Sequence, residues 1–96
     1  MGVKEVFKAL ADPTRREILK ILSGGDKTAG EIAEQFDMTW PTISHHFAVL
    51  RQADLVESRK NGQQVVYSIN TTVLQEVFSW FLDLTGDGSG REVTKK

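Results

Sequence analysis

Two stretches of helical periodicity follow each other between Thr28 and Gln52 with only a short polar break between them. That spacing constrains the fold more than any other feature of the chain. The first stretch, "TAGEIAEQF", opens on Thr28 and has Glu31 three residues on. This is the signature of a capping box, in which each side chain satisfies the other end's exposed N–H. Ile32, Ala33 and Phe36 supply its apolar side. After "DMT", Thr39 is placed to cap a second helix, and Pro41 falls in its first turn, where proline is tolerated. Ile43, Phe47 and Leu50 then recur at i, i+4 and i+7, the spacing of one buried stripe. Two short amphipathic helices across a turn of about three residues form a helix-turn-helix pattern.

The flanks extend this pattern. "VFKAL" places Val6, Phe7 and Leu10 on one side of a first short helix, with Val3 at its edge. Asp12 is a natural N-cap for a second helix and Pro13 suits its first position, where a missing N–H costs nothing. Ile18, Leu19, Ile21 and Leu22 form the apolar face, and "SGGD" ends the helix. Beyond the helix-turn-helix, Asn61-Gly62 sits between the β-favouring runs "LVESRK" and "VVYSI", a hairpin signal with positive φ expected at both turn residues. Asn70 to Thr72 offer several N-caps for a last helix, "VLQEVFSWFLDL", and Thr72 with Gln75 predicts a second capping box there. The expected architecture is mainly α with a β-hairpin wing: a winged helix-turn-helix with an additional C-terminal helix, homodimeric. Residues 1–85 form one domain, and the polar, glycine-rich residues 86–96 are expected to be a disordered tail.

Composition narrows the chemistry. The chain has 96 residues and no cysteine, which favours one domain and excludes disulfides and thiolate metal sites. The N-terminus lacks the apolar core of a signal peptide, and no run reaches the roughly 18 apolar residues of a membrane span. A cytoplasmic protein without membrane insertion is the expectation. The net charge of −1 counts mildly against a nucleic-acid binder, for which local charge is the better guide.

"FKALADPTRREILKIL", "TAGEIAEQF", "PTISHHFAVLRQADLV" and "GQQVVYSIN" together resemble the ArsR/SmtB family of bacterial repressors, and within it the small, metal-free, SdpR-like members. The resemblance runs over residues 5–72, and residues 73–84 match the family's final helix in length and character. It implies a homodimeric autorepressor on a palindromic operator. Implied partners are double-stranded DNA and a second copy of the chain, with a protein anti-repressor as a further candidate.

In a helix-turn-helix the N-terminal part of the second helix enters the major groove. With Ile43, Phe47 and Leu50 turned inward, the opposite face of residues 40–53 carries Pro41, Ser44, His45, Ala48 and Gln52, with Thr39, Trp40 and Thr42 near its start. Hydroxyls and imidazole can reach base edges, and Ala48 and the Thr42 methyl can touch thymine methyls. The wing, residues 56–69, brings Arg59, Lys60, Asn61 and Gln63, with Gln64 beside them, toward the backbone or minor groove. Arg15, Arg16 and Arg51 are further phosphate candidates, and Arg51 could equally serve the helix dipole. Between Thr39 and Asn70, three cations (Arg51, Arg59, Lys60) less two anions (Asp54, Glu57) leave +1, a weakly basic face.

His45 and His46 are not a chelating pair, because neighbours on a helix diverge by about 100°. His45 joins Ser44 on the groove face, as a base or phosphate contact. His46 falls beside the buried stripe and reads as structural. Metal-sensing relatives carry cysteines in the helix matching "TAGEIAEQF", or His and Asp ligands in the last helix. Here the first has no cysteine and the last has Glu76 and Asp83 but no histidine, so neither a metal site nor a cofactor is expected. No nucleophile–base–orienter set or phosphate loop is apparent, so no enzyme activity is expected.

The last helix has more apolar surface than one packing face requires. Val77, Phe78, Trp80, Phe81 and Leu84, with Val3 and Val6 of the first helix, are the candidate dimer interface. A dimer through these helices would space two recognition helices by about 34 Å, one DNA turn. The alternative function is a winged-helix adaptor that holds a protein partner without binding DNA.

Overall fold

The computed structural model describes residues 2–86, and the expected 86–96 tail lies, beyond Gly86, outside the described residues. Five helices and three strands follow in the order α1 (Val3–Leu10), α2 (Pro13–Ser23), β1 (Lys27–Thr28), α3 (Ala29–Ala33), α4 (Trp40–Gln52), β2 (Val56–Asn61), β3 (Gln64–Ile69) and α5 (Thr71–Leu84). The winged helix-turn-helix architecture is as expected.

Asp12 caps α2 by accepting from the Arg15 N–H, and Pro13 stands in the first turn. The Thr28–Glu31 capping box forms in full. Three local expectations are corrected. Thr39 occupies the N-cap position of α4, but its hydroxyl pairs with the Thr42 hydroxyl at 3.0 Å rather than with a backbone N–H. The cap of α5 is Asn70, whose side chain accepts from the Thr72 N–H; Thr72 lies inside the helix, so no Thr72–Gln75 box forms. At the wing tip Asn61 pairs with Gln64, so the two turn residues are Gly62 and Gln63. Only Gly62 has positive φ there, +67°. That is the pattern of a type II′ turn, with glycine first, rather than Asn-Gly in type I′.

Strand β1 was not anticipated. Two residues are too few to show alternation, yet Lys27 and Thr28 pair with Tyr67 and Val66 and make a three-stranded antiparallel sheet of order β1-β3-β2. This ties the start of the helix-turn-helix to the wing.

One core joins the elements. Ile18, Leu22, Ile32, Ile43, Phe47, Leu50 and Leu55 are nearly or fully buried, with Val6 and Ala9 from α1 and Val73 and Val77 from α5. Val6 and Val77, expected at an interface, are instead buried within the core of the chain itself. Helix α4 ends in a Schellman motif, with Leu55 N–H donating to Leu50 O and Asp54 N–H to Arg51 O. The left-handed position is filled by Asp54 (φ 59°), not by glycine.

Candidate nucleic-acid interface

The inward stripe of α4 fixes which side chains are left outside. Ile43, His46, Phe47, Val49 and Leu50 are buried. Trp40, Pro41, Thr42, His45, Arg51 and Gln52 are exposed, and Ser44 and Ala48 are half-buried beside them. The expected groove face is therefore continuous and carries no acidic residue. Trp40 is 54% exposed, although its ring meets Phe47 edge-on at 6.2 Å. It closes one side of a groove of about 270 Å³ shared with Thr28, Ala29, Gly30, Gln63, Gln64 and Val65. The groove brings the start of α4 and the wing tip to the same edge of the molecule.

The wing is held to α4 at its middle. Tyr67 is buried and stacks on Phe47, ring centroids 4.5 Å apart, while its hydroxyl accepts from Arg51 Nη1 at 2.7 Å. Arg51 thus links α4 to the wing through one hydrogen bond while its side chain stays exposed. Arg59, Lys60, Asn61 and Gln63 are exposed. Arg59 Nη1 donates to Asp26 Oδ2 at 3.3 Å and to the Ser68 hydroxyl at 3.1 Å. Both ends of the Arg59–Asp26 pair are about half exposed, so the pair is weak and open to exchange for a phosphate. Asp26 belongs to the "SGGD" helix stop in the sequence; strand β1, invisible in the sequence pattern, brings it to the wing.

Arg15 and Arg16, the further phosphate candidates, are engaged with the end of α1. Arg15 Nε and Nη2 donate to the Ala9 and Lys8 carbonyls, and Arg16 Nη1 to that of Leu10. They satisfy the open carbonyls at the end of α1. His46 is buried as expected, with its Nδ1 at 3.1 Å from Arg15 Nη1 and 3.9 Å from Asp12 Oδ2. Burial lowers the imidazole below the ordinary histidine value; Asp12 opposes this, and Arg15 and His45 add to it. Burial alone would raise the Asp12 carboxyl, but the Arg15 backbone N–H, then the His46 charge and the Thr14 N–H, hold it below its usual range.

A separate apolar surface lies where α1 meets α5. Val3, Phe7, Phe78, Trp80, Phe81 and Leu84 are all exposed. Phe7 lies 5.5 Å from the Phe81 ring and 6.2 Å from Trp80, so α1 and α5 contribute to one aromatic cluster. Among the described residues no helix is long and apolar enough to cross a membrane.

Comparison with known proteins fits this arrangement. Residues 12–58 match the family described as bacterial regulatory protein, arsR family. Over 86 residues, 90% of this chain and 96% of the relative, the chain is 50% identical to the transcriptional repressor SdpR of Bacillus subtilis. The chain belongs to the arsR family. It is accordingly a winged-helix, DNA-binding transcriptional regulator. The arsenical resistance operon repressor of Staphylococcus xylosus is 40% identical over 80 residues, 80% of this chain and 77% of that one. A crystal structure of an ArsR family transcriptional regulator superposes with a TM-score of 0.83 at 31% identity, covering 94% of this chain and 93% of the other.

Proposed function

We propose that the protein is a cytoplasmic, homodimeric repressor that binds a palindromic operator, its own promoter included. The exposed, acid-free face of α4 beside the wing tip carries this reading. Thr39, Trp40, Pro41, Thr42, Ser44, His45 and Ala48 enter the major groove, where hydroxyls and imidazole read base edges. Arg59, Lys60, Asn61 and Gln63 hold the backbone at the groove edge, with Arg59 leaving Asp26 for a phosphate. Val3, Phe78, Trp80, Phe81 and Leu84, together with Phe7, form the two-fold interface, since apolar clusters of this kind mark association sites. A protein anti-repressor is a candidate relief signal. Nothing at the apolar end or the wing favours the adaptor reading over this one.

A mobility-shift assay with the chain's own upstream DNA tests the proposal. A shift at low salt, competed poorly by random DNA, is the expected result; no shift from a folded dimer would sink it. Ser44→Ala and His45→Ala should each weaken operator binding by ~1–3 kcal/mol and leave random-sequence binding nearly unchanged. Equal losses on both DNAs would mean phosphate contact instead.

A further inference from the structure

The Arg15 guanidinium connects three elements. Two of its nitrogens donate to the last carbonyls of α1 at 2.9 Å each, and the third faces His46 Nδ1 on the inner flank of α4 at 3.1 Å. A guanidinium only donates, so Nδ1 accepts through its lone pair and the ring proton resides on Nε2, an assignment that follows from the partner. His46 is 9% exposed, which leaves little room for water to replace this donor. Asp12 Oδ2 stands 3.9 Å from the same nitrogen and already accepts from the Arg15 N–H. A proton on Nδ1 would remove the acceptor that Arg15 uses and set two like charges side by side. It would also draw the ring toward Asp12. The node lies between the two surfaces of the molecule: α1 carries Val3 and Phe7 of the aromatic end, and His46 directly follows Ser44 and His45 of the groove face.

We propose that Arg15 and His46 are positioning residues for operator binding: their hydrogen bond locks the recognition helix to the α1–α2 joint, and a proton on His46 Nδ1 releases it. The inference adds a proton-sensitive control to the repressor reading, and its DNA readout rests on that reading. The charged groups around the ring are Asp12 and Arg15 from α2 and its cap and His45 from α4 itself. From α1, Lys4, Glu5 and Lys8 line the adjoining groove with Val49 and Gln52. The lowered proton affinity of the buried ring keeps the bonded form in place at neutral pH.

The sign of the effect is diagnostic. Acidification makes the chain more positive and strengthens generic phosphate attraction, whereas release of the helix weakens specific binding. Operator affinity is measured by fluorescence anisotropy at constant ionic strength from about pH 7.5 to about pH 5.5, in the parent chain and in His46→Asn side by side, so that the exposed His45 imidazole contributes equally to both. We expect the parent chain to lose affinity toward the acid end of that range, below the ordinary histidine value of 6.5. His46→Ala should lower affinity at the upper pH. His46→Asn, which returns an uncharged acceptor near the Nδ1 position, should restore it relative to alanine and abolish the acid-induced loss. Identical pH profiles with and without His46→Asn overturn the proposal. Nitrogen NMR of the imidazole reads the joint without DNA: a bare Nδ1 whose resonance moves in Arg15→Gln is expected, and a protonated Nδ1 at neutral pH overturns the proposal. A chain that binds no DNA at the upper pH sinks the repressor reading, and the NMR titration still decides whether the joint responds to protons.

Discussion

At the residue scale, Asp54 and Asn70 together set the base of the wing. Asp54 adopts a left-handed conformation (φ 59°) that an L-residue enters at a cost of roughly 1–2 kcal/mol. Asn70 stabilises that corner, because its N–H donates to Leu55 O at 2.8 Å and its side-chain amide to Asp54 O at 3.0 Å. Both bonds end on backbone carbonyls, so they survive a change of the Asp54 side chain. Asp54→Gly should therefore raise the urea midpoint by an amount worth up to ~1 kcal/mol, while Asn70→Ala should lower stability by ~1–2 kcal/mol. Acid should also destabilise the fold, and the direction follows from linkage. His46 binds its proton more weakly folded than unfolded, so its contribution is complete above the ordinary value of 6.5 and declines as pH falls below it. Asp12, held below its ordinary 3.8, adds a second loss as pH falls through that lower range. Thermal melts against pH should show the first decline in the parent chain and a reduced one in His46→Asn.

At the scale of elements, α5 divides its apolar surface between two tasks. Val73 and Val77 pack inward, and Phe78, Trp80, Phe81 and Leu84 remain outside with Phe7. Replacing Trp80 and Phe81 with polar residues should leave the core intact and give monomers in sedimentation velocity; intact dimers would place the interface elsewhere. Removing the Tyr67 hydroxyl should free Arg51 from the wing and cost ~1 kcal/mol of stability. The helices were legible in the sequence because period and caps agree: the stripe of Ile43, Phe47 and Leu50, the Asp12-Pro13 start and the Thr28–Glu31 box are local signals for local structure. What escaped was non-local. Strand β1 exists only because Tyr67 and Val66 lie opposite it, and Asp26 reaches Arg59 only through that pairing. Arg15 and Arg16 read as phosphate candidates in the sequence, which does not show that the end of α1 supplies carbonyls for them. Val6 and Val77 went to the wrong side because periodicity shows that a face is apolar but not which of two neighbours it meets. The exposed face of α4 was legible by subtraction, as whatever the buried stripe left outside.

At the scale of the whole molecule, the chain separates its surfaces by chemistry: polar and weakly basic at α4 and the wing, aromatic where α1 meets α5. A net charge of −1 makes long-range attraction to DNA weak, so binding should rest on few close phosphate contacts. In the proposed dimer, Arg59 and Lys60 from each protomer would give about four contacts, hence an expected log–log salt slope of about −3.6. Raising salt from about 50 to about 200 mM should then weaken operator binding about a hundredfold, and a slope shallower than about −2 would mean that the wings do not hold the backbone. The clasp that Asn70 makes with Asp54 and Leu55 has a separate consequence for change over time. Because the strands' two roots are joined by hydrogen bonds independent of the tip, the loop between them is closed in advance, and lengthening it costs only slowly growing closure entropy. The tip at Gly62-Gln63 is thus a tolerant site for insertion or exchange, where new DNA contacts can be tried without renegotiating the rest of the fold.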